Sequence, residues 1–350
     1  MLYAKHTDLR LSLIGLGTRG MGSPKCDTKQ WARVIDFALD NGINLIDTAP
    51  LYQNGSSEEL LGELLRGKRK KIILSTKVGT HGEEMSLSPQ AIKETLHGSL
   101  KRLQTDYIDI LHIHYPDPRA DYGTVASLLQ EFKQQGIIRE YGLSNFNCRE
   151  LERWPMDDPP VTMQEGYNLL QWKRYSELEP IMTGNNIIPM VYTPLAVGML
   201  AQPPEVACSS PIGKMLYGAL SEEGKEKLAD FFAVARENNL LAADLAIAWS
   251  LNRGKNVSLV GTSKVTHLQQ ALNALQLLHS DLMALLEPIP QPVLPLAGKL
   301  VNVLKTTQTE SLVELELKAA GITVSAWVNG SSQEGDIVHL DGLTGEVIVQ

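Results

Sequence analysis

The chain alternates short apolar runs, rich in β-branched residues, with longer segments that carry apolar residues at helical spacing. Eight runs can be counted, at residues 11–17, 43–49, 71–78, 107–115, 137–144, 161–168, 187–194 and 256–263. Most are apolar on both faces, which is typical of parallel strands covered by helices. Strands that alternate with helices in this way predict an α/β fold with a parallel sheet.

The number of runs favours a closed barrel over an open sheet. Eight repeats over roughly 280 residues match the size of a (β/α)8 TIM barrel, about 250 residues with insertions. A doubly wound open sheet is the competing fold. It is disfavoured because the glycines of residues 15–22 (GLGTRGMG) do not form the GxGxxG phosphate turn that follows the first strand of such folds.

Local signals place several helices and one long connection. Ser56 stands three residues before Glu59 in a capping-box pattern, which predicts the start of a helix. Ser88 before Pro89 predicts an N-cap followed by a first-turn proline, and residues 28–42 read as an amphipathic helix ending at a glycine. Residues 194–221 form an irregular stretch, and a loop of that length is typically a functional lid or disordered.

The composition changes after Glu287. The segment PIPQPVLP contains four prolines and predicts a stiff extended linker. Five short alternating runs separated by glycines follow, and they predict a small antiparallel β-barrel. We therefore divide the chain into a barrel at residues 1–287, a linker at 288–298 and a small β domain at 299–350.

Composition excludes several classes of partner. The net charge of −8 argues against nucleic acid, which binds basic surfaces. No apolar stretch approaches the ~18–20 residues that a membrane span requires, and the amino terminus has no apolar signal core. The three cysteines are far apart and odd in number, which fits a reducing cytoplasm better than a disulfide framework or a zinc site.

Three of the apolar runs end in residues that a buried strand should not carry. The runs INLIDTAPLY, KIILSTKV and YIDILHIHYP place polar groups at or just beyond their ends, namely Asp47, Tyr52, Lys77 and His114. Polar groups are costly to bury unless they are paired, and the chemistry of a (β/α)8 barrel lies on the loops that follow its strands. If the strands lie side by side, these four groups converge into a proton-transfer site.

The residue types suggest how such a site would work. A free tyrosine has a pKa near ~10 and is a reluctant acid at neutral pH. We expect the ammonium of Lys77 to lower the pKa of Tyr52, and Asp47 to supply the counter-charge that a buried lysine needs. The phenol could then donate a proton to a carbonyl oxygen that receives a hydride, or remove one in the reverse reaction.

Over roughly residues 9–280 the chain resembles the aldo-keto reductases. The resemblance rests on NLIDTAPLY, LSTKVG, DILHIHYPDP, GLSNF, the strand with Gln164, YTPLAVGML and LVGTSKVTHLQQAL, in this order. It implies a (β/α)8 barrel and an NAD(P)H-dependent oxidoreductase that interconverts an aldehyde or ketone and its alcohol. The partner implied is therefore a small carbonyl or alcohol substrate.

The resemblance also implies a role for each site residue. Tyr52 would be the general acid/base, Asp47 and Lys77 would tune it, and His114 would orient the substrate carbonyl. A nicotinamide dinucleotide would lie across the barrel mouth, with NADP favoured and NAD the alternative. Its binding residues would be Gly17, Thr18, Ser144, Asn145, Gln164, Tyr192, Leu195, Gly198, Thr262, Ser263 and Lys264.

The chain departs from the family pattern at the adenosine end of the cofactor. Gln270 and Ala271 stand where the family often has Glu-Asn, and Lys264 is the one candidate for contact with a 2′-phosphate. His112 precedes His114 by one strand alternation, so either ring could face the site. The Ile-His-aromatic-Pro pattern favours His114 and leaves His112 as a core histidine. Metal binding by the two histidines lacks further ligands, so we expect no metal.

Two further readings stay open. A non-catalytic protein that binds a nicotinamide nucleotide and regulates or docks on a partner is the alternative function, motivated by the appended β domain. The last fifty residues faintly resemble the TOBE modules of transport ATPases, through the turn at residues 335–338 (GDIV). Self-association or docking is the other role expected of this domain.

Overall fold

Eight parallel strands close into a barrel, and each strand bonds to its neighbours in chain order. The structure, a computed structural model, describes residues 3–6, 9–81, 84–253, 256–292, 295–306, 310–317, 322–329 and 337–341. The barrel strands are β1 (Ile14–Gly17), β2 (Leu45–Asp47), β3 (Ile73–Val78), β4 (Ile108–Ile113), β5 (Ile138–Ser144), β6 (Thr162–Gly166), β7 (Ile188–Tyr192) and β8 (Val257–Gly261). Pairing of β8 with β1 closes the circle. The predicted (β/α)8 barrel is confirmed.

Helices connect the strands and cover the outer surface of the barrel. They are α1 (Thr28–Asp40), α2 (Ser56–Leu64), α3 (Pro89–Leu103), α4 (Tyr122–Gln134), α5 (Cys148–Glu152), α6 (Lys173–Gly184), α7 (Pro204–Ala207), α8 (Pro211–Gly218), α9 (Glu222–Glu237), α10 (Ala242–Leu251) and α11 (Val265–Ala274). Short 3-10 helices lie at Tyr52–Gly55, Arg69–Lys71, Ala196–Gly198, Leu275–Leu277 and Asp281–Leu285. The larger apolar core lies between these helices and the outward faces of the strands.

The first predicted strand divides into two elements. Leu9–Ser12 pairs antiparallel with Tyr3–His6, and only Ile14–Gly17 belongs to the barrel. Leu9 and Leu11 pack with side chains of the barrel interior, so this hairpin forms the floor of the barrel. The apolar pattern ran through both pieces because both bury apolar side chains, Leu9 and Leu11 in the interior cluster and Ile14 and Leu16 in the larger outer core.

The helix signals had mixed outcomes. Ser88 is extended and accepts a hydrogen bond from the backbone of Ala91, so the cap before Pro89 is confirmed. The capping box at Ser56 is wrong, because Ser56 already has helical backbone angles and Gly55, with φ 90°, is the N-cap. A capping side chain needs an extended backbone at its own position. The stretch at residues 194–221 contains α7, α8 and a 3-10 helix.

The interior of the barrel is apolar at its floor and polar at its mouth. Leu45 of β2, Ile73 of β3 and Ile110 of β4 belong to the interior apolar cluster. Because strand side chains alternate with a period of two, the residues two positions further along face the same interior. Those residues are Asp47, Ser75 and His112, all of them buried. The strand ends therefore bring polar groups together above an apolar base.

The chain beyond the barrel forms a separate sheet. Strands β9 (Pro295–Thr306), β10 (Glu310–Leu317), β11 (Ile322–Asn329) and β12 (Ile337–Asp341) make a four-stranded antiparallel sheet in the order β11-β10-β9-β12. The fifth predicted run, at residues 346–350, and the turn at residues 335–336 lie outside the described residues. Among the described residues, no helix is both long and apolar enough to cross a membrane.

The start of the proline-rich segment is held by the barrel. Ile289 is 1% exposed, its N–H donates to the carbonyl of Leu169, and its carbonyl accepts from the indole of Trp172. The carbonyl of Leu286 likewise accepts from Trp249. The chain is thus fixed on the barrel surface through Ile289.

Candidate active site

A buried ion pair joins the ends of β2 and β3. Lys77 Nζ lies 2.7 Å from Asp47 Oδ2, and the two residues are 2% and 3% exposed. The same ammonium donates to the carbonyl of Thr48 at 2.9 Å and reaches the Tyr52 hydroxyl at 3.5 Å. The three donors of the lysine therefore link a carboxylate, a carbonyl and a phenol.

The second oxygen of Asp47 is also fully engaged. Ser75 Oγ donates to Asp47 Oδ1 at 2.8 Å, and Gln164 Nε2 donates to the same oxygen at 2.7 Å. Ser75 is aligned with Asp47 in the pairing of β2 and β3, whereas Gln164 reaches across from β6 on the far side of the barrel. Three side chains from two strands, β3 and β6, thus fix this one carboxylate.

The ion pair sets the charge state of Lys77. Burial is the largest single influence and lowers the pKa of this lysine, but Asp47 and Tyr52 together raise it by more, so the net pKa is raised. Lys77 is therefore an ammonium at neutral pH. The pair is favourable only because its geometry and its extra hydrogen bonds compensate for the loss of water.

Tyr52 lies on the turn that follows β2, in the 3-10 helix Tyr52–Gly55. Gln53 and Asn54 have positive φ angles of 52° and 51°, so the chain turns sharply just after Tyr52, and the Tyr52 ring centroid lies 5.1 Å from Lys77 Nζ. Burial raises the pKa of Tyr52, and the Lys77 ammonium lowers it by less, so the net pKa is raised. Lys77 therefore acts on the pKa of Tyr52 in the predicted direction, but loss of water around the phenolate outweighs it.

The two histidines of β4 have different surroundings. His114 lies beside the phenol, with its ring centroid 6.3 Å from that of Tyr52 at an angle of 82°, and it stacks on Tyr115 at 4.5 Å. His114 Nδ1 is buried and has no hydrogen-bond partner among the described residues. Burial, followed by the nearby Lys77, lowers the pKa of His114 to about 3. Its imidazole is therefore neutral at neutral pH.

His112 lies deeper in the barrel and is fully buried. Its Nδ1 is 3.1 Å from Ser75 Oγ, and its Nε2 is 2.9 Å from Thr162 Oγ1. Burial and then Lys77 hold the pKa of His112 well below its usual value. Of the two rings, His114 is the one beside Tyr52, and His112 sits beneath the ion pair.

Ser144, Asn145 and Tyr192 form a second polar group at the mouth. Asn145 Nδ2 donates to the carbonyl of His114 at 2.9 Å and to Ser144 Oγ at 3.0 Å. Tyr192 donates to Asn145 Oδ1 at 2.6 Å. Asn145 has a φ of 64°, a conformation that asparagine tolerates better than most residues. The cap of α5 is Asn147 instead, so Ser144 and Asn145 are not a helix cap.

Gly17 and Thr18 lie at the end of β1, where they close the barrel. Thr18 Oγ1 donates to the carbonyl of Asp47 at 3.0 Å and accepts from Ser57 Oγ at 3.0 Å. Thr18 is fully buried, so its hydroxyl fixes the backbone beneath the site. Gly17 is aligned with Asp47 and with Gly261.

Leu195 and Gly198 belong to a loop with unusual backbone angles just after β7. Thr193, Ala196 and Val197 all have positive φ, at 52°, 46° and 56°. Val197 is 56% exposed, and a positive φ is a genuine outlier for a β-branched residue. Such strain is typical of functional sites. Gly198, with φ 100°, has open space around the position of a Cβ.

Thr262, Ser263 and Lys264 lead into α11. Thr262 Oγ1 accepts from the backbone N–H of Lys264 at 3.0 Å and lies 3.2 Å from His267 Nδ1. Lys264 is the N-cap residue of α11 and is exposed. These residues lie at the end of β8, next to β1, and do not contact Asp47, Tyr52, Lys77 or His114.

Sequence reasoning missed two residues of the site. Ser75 and Thr162 both bond to groups of the buried network, although each reads as an ordinary strand residue. The signal for Ser75 was its place two positions before Lys77, on the same strand face. No comparable signal marks Thr162, because its partner comes from β4.

The family follows from a comparison with known proteins. A family model described as "Aldo/keto reductase family" matches residues 13–288, which include the whole barrel and every site residue described above. The chain belongs to the aldo/keto reductase family. It is an NAD(P)H-dependent oxidoreductase acting on carbonyl and alcohol groups, as the sequence predicted.

Individual relatives show how far the similarity extends. Aldo-keto reductase YhdN from Bacillus subtilis (strain 168) is 37% identical over 203 residues, which cover 55% of this chain and 61% of YhdN. The match therefore spans less than two thirds of YhdN. The glycerol dehydrogenase AKR11B4 from Gluconobacter oxydans superposes with a TM-score of 0.68 at 27% identity, covering 81% of this chain and 95% of that one.

A third similarity is one of fold alone. An aldo/keto reductase from Klebsiella pneumoniae, solved in complex with NADP and acetate, has a TM-score of 0.65 at 24% identity. The superposition covers 81% of this chain and 93% of that one.

The buried ion pair gives a stability prediction. Asp47→Asn leaves the Lys77 ammonium buried without its counter-charge, so we expect a loss of about 3–5 kcal/mol in the free energy of unfolding. The double variant Asp47→Asn/Lys77→Met should recover part of this loss, because no charge remains buried. Urea unfolding of both variants measures the difference. Glu222→Gln, which breaks an exposed pair with Lys225, is the control and should leave the midpoint unchanged. Equal loss in the single and double variants would contradict the prediction.

Proposed function

We propose that Tyr52 is the general acid/base of this oxidoreductase, that Lys77 and Asp47 set its acidity, and that His114 orients the carbonyl. The observation that carries the proposal is the position of Lys77 Nζ, 2.7 Å from Asp47 Oδ2 and 3.5 Å from the Tyr52 hydroxyl. A carboxylate, an ammonium and a phenol in contact at a barrel mouth have the composition of a proton-transfer site.

The residues divide the work as follows. When bound, the reduced nicotinamide supplies the hydride. As the carbonyl carbon accepts it, Tyr52 donates its proton to the oxygen, which becomes a hydroxyl. The ammonium of Lys77 stabilises the phenolate that remains. His114, neutral because its pKa is about 3, has one ring N–H to donate to the same oxygen without adding charge.

The mouth of the barrel fits a nicotinamide carboxamide, which needs both a donor and an acceptor. Gln164 gives an amide hydrogen to Asp47, and its Oε1 accepts no hydrogen bond from the described residues. Ser144 Oγ accepts from Asn145 and keeps its own proton to donate. The ring of Tyr192 is held beside them by its bond to Asn145, in position to stack on the nicotinamide.

The remaining cofactor residues follow the rim. The strained loop with Leu195 and Gly198 is proposed to hold the pyrophosphate through its backbone, and Gly17 and Thr18 to line the nicotinamide end. Thr262, Ser263 and Lys264 at the end of β8 are proposed to hold the adenosine end. The exposed ammonium of Lys264 suits a 2′-phosphate, so we propose NADP rather than NAD. The Klebsiella pneumoniae enzyme of the same fold was solved with NADP.

The regulatory alternative is not favoured. A protein that only sensed a nucleotide would need no buried ammonium held against a phenol, and burying that charge is costly. A catalytic role for Asp47, Tyr52, Lys77 and His114 explains why the protein keeps a buried charge despite this cost.

We also propose a location and a division of the chain. Cys26, Cys148 and Cys208 form no disulfide with one another, which suits a reducing compartment, and we place the protein in the cytoplasm. The β sheet after residue 295 is proposed to be a separate domain for self-association or docking. Because the barrel holds the chain through Ile289, that domain would begin after this contact, and no nucleic acid or membrane is among its proposed partners.

The general acid/base role is tested by Tyr52→Phe. This change removes the hydroxyl and keeps the ring, so we expect turnover of a good aldehyde to fall by roughly 10²–10⁴-fold. Tyr107→Phe is the matched control, since Tyr107 precedes β4 at the opposite end of the barrel, and it should retain activity. The measurement is steady-state oxidation of NADPH across a carbonyl panel. Near-normal turnover in Tyr52→Phe would contradict the proposal.

The raised pKa of Tyr52 predicts the pH dependence of both directions. The phenol is protonated below its pKa, so reduction should stay constant through neutral pH and decline only at alkaline pH. Oxidation needs the phenolate and should rise over the same alkaline range. His114 should add no step between about pH 5 and pH 8, because it is neutral there. Profiles of kcat/KM in both directions measure this, and an acid-to-neutral limb in reduction would argue against it.

The cofactor proposal is tested at Lys264. Lys264→Ala removes the cation next to the proposed 2′-phosphate, so KM for NADPH should rise by about 3–10-fold while KM for NADH changes little. Lys264→Arg keeps the charge and should preserve the preference. Initial rates with both cofactors measure the ratio. An equal change in KM for NADPH and for NADH would show that Lys264 does not bind the 2′-phosphate.

A further inference from the structure

Four strands hold a buried hydrogen-bonded chain beneath the proposed acid. It runs from Thr162 of β6 to His112 of β4, then to Ser75 of β3 and to Asp47 of β2. The distances along it are 2.9 Å, 3.1 Å and 2.8 Å. Thr162, His112 and Ser75 are each 0% exposed, so water does not compete for these bonds.

The direction of each bond in this chain can be deduced. The single proton of Ser75 goes to Asp47 Oδ1, since a carboxylate only accepts. Ser75 Oγ must therefore accept from His112 Nδ1, which carries the ring proton. A neutral imidazole has one N–H, so Nε2 accepts from the Thr162 hydroxyl. All three donors consequently point the same way, toward Asp47 Oδ1.

A glycine on β5 leaves room for the ring of His112. His112 is aligned with Gly142 on β5, and Gly142 is aligned with Thr162 on β6. A Cβ on Gly142 would lie 2.4 Å from Thr162 Oγ1 and 2.5 Å from His112 Cδ2. The missing side chain at this position therefore makes room for the ring to cross β5 and reach Thr162.

We propose that His112 is a positioning residue: through its Nδ1–H it fixes the Ser75 hydroxyl on Asp47 Oδ1 and so controls how strongly Asp47 neutralises Lys77. This inference rests on the proposed role of Tyr52. Donors on Oδ1 draw charge away from Oδ2, the oxygen that binds Lys77, and hydrogen bonds in series strengthen one another. A less neutralised ammonium stabilises the Tyr52 phenolate more.

The charged and titratable groups around the phenol come from four elements. Asp47 is the last residue of β2 and Lys77 lies in β3, while His114 and Tyr115 follow β4. Arg19, after β1, acts on His114. Among these groups, only Asp47 is connected to His112 by the series of hydrogen bonds through Ser75. A change at His112 should therefore act on Tyr52 through Asp47 and Lys77.

The first test reads the tautomer without turnover. Nitrogen-15 NMR of the full chain with labelled histidine should show His112 as a neutral ring protonated at Nδ1, with no titration between about pH 5 and pH 9. The resonance is assigned by its loss in His112→Asn. An Nε2-protonated ring, or one that titrates in this range, would overturn the proposal. Because no catalysis is involved, this result is independent of whether Tyr52 is the acid.

The second test reads the effect on the acid. Ser75→Ala and His112→Leu should each move the alkaline limb of reduction to higher pH, by roughly half a pH unit for Ser75→Ala and less for His112→Leu. His112→Asn, whose amide N–H can replace Nδ1–H, should restore the original limb. His97→Leu, on the exposed face of α3, is the control and should change nothing.

The double variant Ser75→Ala/His112→Leu decides between positioning and packing. If His112 acts through Ser75, the double variant should show the shift of Ser75→Ala alone. Additive shifts, or failure of His112→Asn to restore the limb, would overturn the proposal. If Tyr52→Phe retains turnover, the proposed function fails, while the tautomer result still stands or falls by itself.

Discussion

The buried ion pair of Asp47 and Lys77 is the contact on which the polar mouth of the barrel depends. An ammonium at 2% exposure and a carboxylate at 3% can persist only if almost every donor and acceptor is paired. Thr48, Ser75 and Gln164 supply those partners. Thr48 and Ser75 are close in sequence to the pair itself, whereas Gln164 comes from β6, so the full set of partners exists only once the barrel has closed.

Closure of the barrel explains why the polar groups meet in one layer. Parallel strands in register place Ser75 beside Asp47 and Lys77 beside His112 along the backbone. The layer below is apolar and closed by the amino-terminal hairpin. In the layer above, His114 is 6% exposed and Tyr52 is partly exposed, so the two lie at the boundary between buried and accessible surface.

The same burial that organises the site also sets its proton chemistry. Loss of water raises the pKa of Tyr52 and lowers that of His114, because burial destabilises the charged form of each group. Both groups are therefore neutral at neutral pH, one as a phenol with a proton to give and the other as an uncharged donor. The lysine moderates the first effect but does not reverse it.

The sequence alone determined the barrel, because short apolar runs and helical segments with a period of 3.6 are local properties of the chain. It also marked Asp47, Tyr52, Lys77 and His114, since polar residues at the ends of apolar strands are visible without a fold. It misplaced the start of α2, because a cap depends on backbone angles that no residue type specifies. It also merged one strand of the floor hairpin with β1.

Only the tertiary structure decided which histidine lies beside the phenol and where the partners of Asp47 come from. His112 and His114 have the same alternation in sequence, and their difference arises from the heights at which β3, β4 and β6 pair. Gln164 lies 117 residues from Asp47 along the chain, and Thr162 lies 50 from His112. Contacts over such separations depend on barrel register and closure, which no local pattern contains.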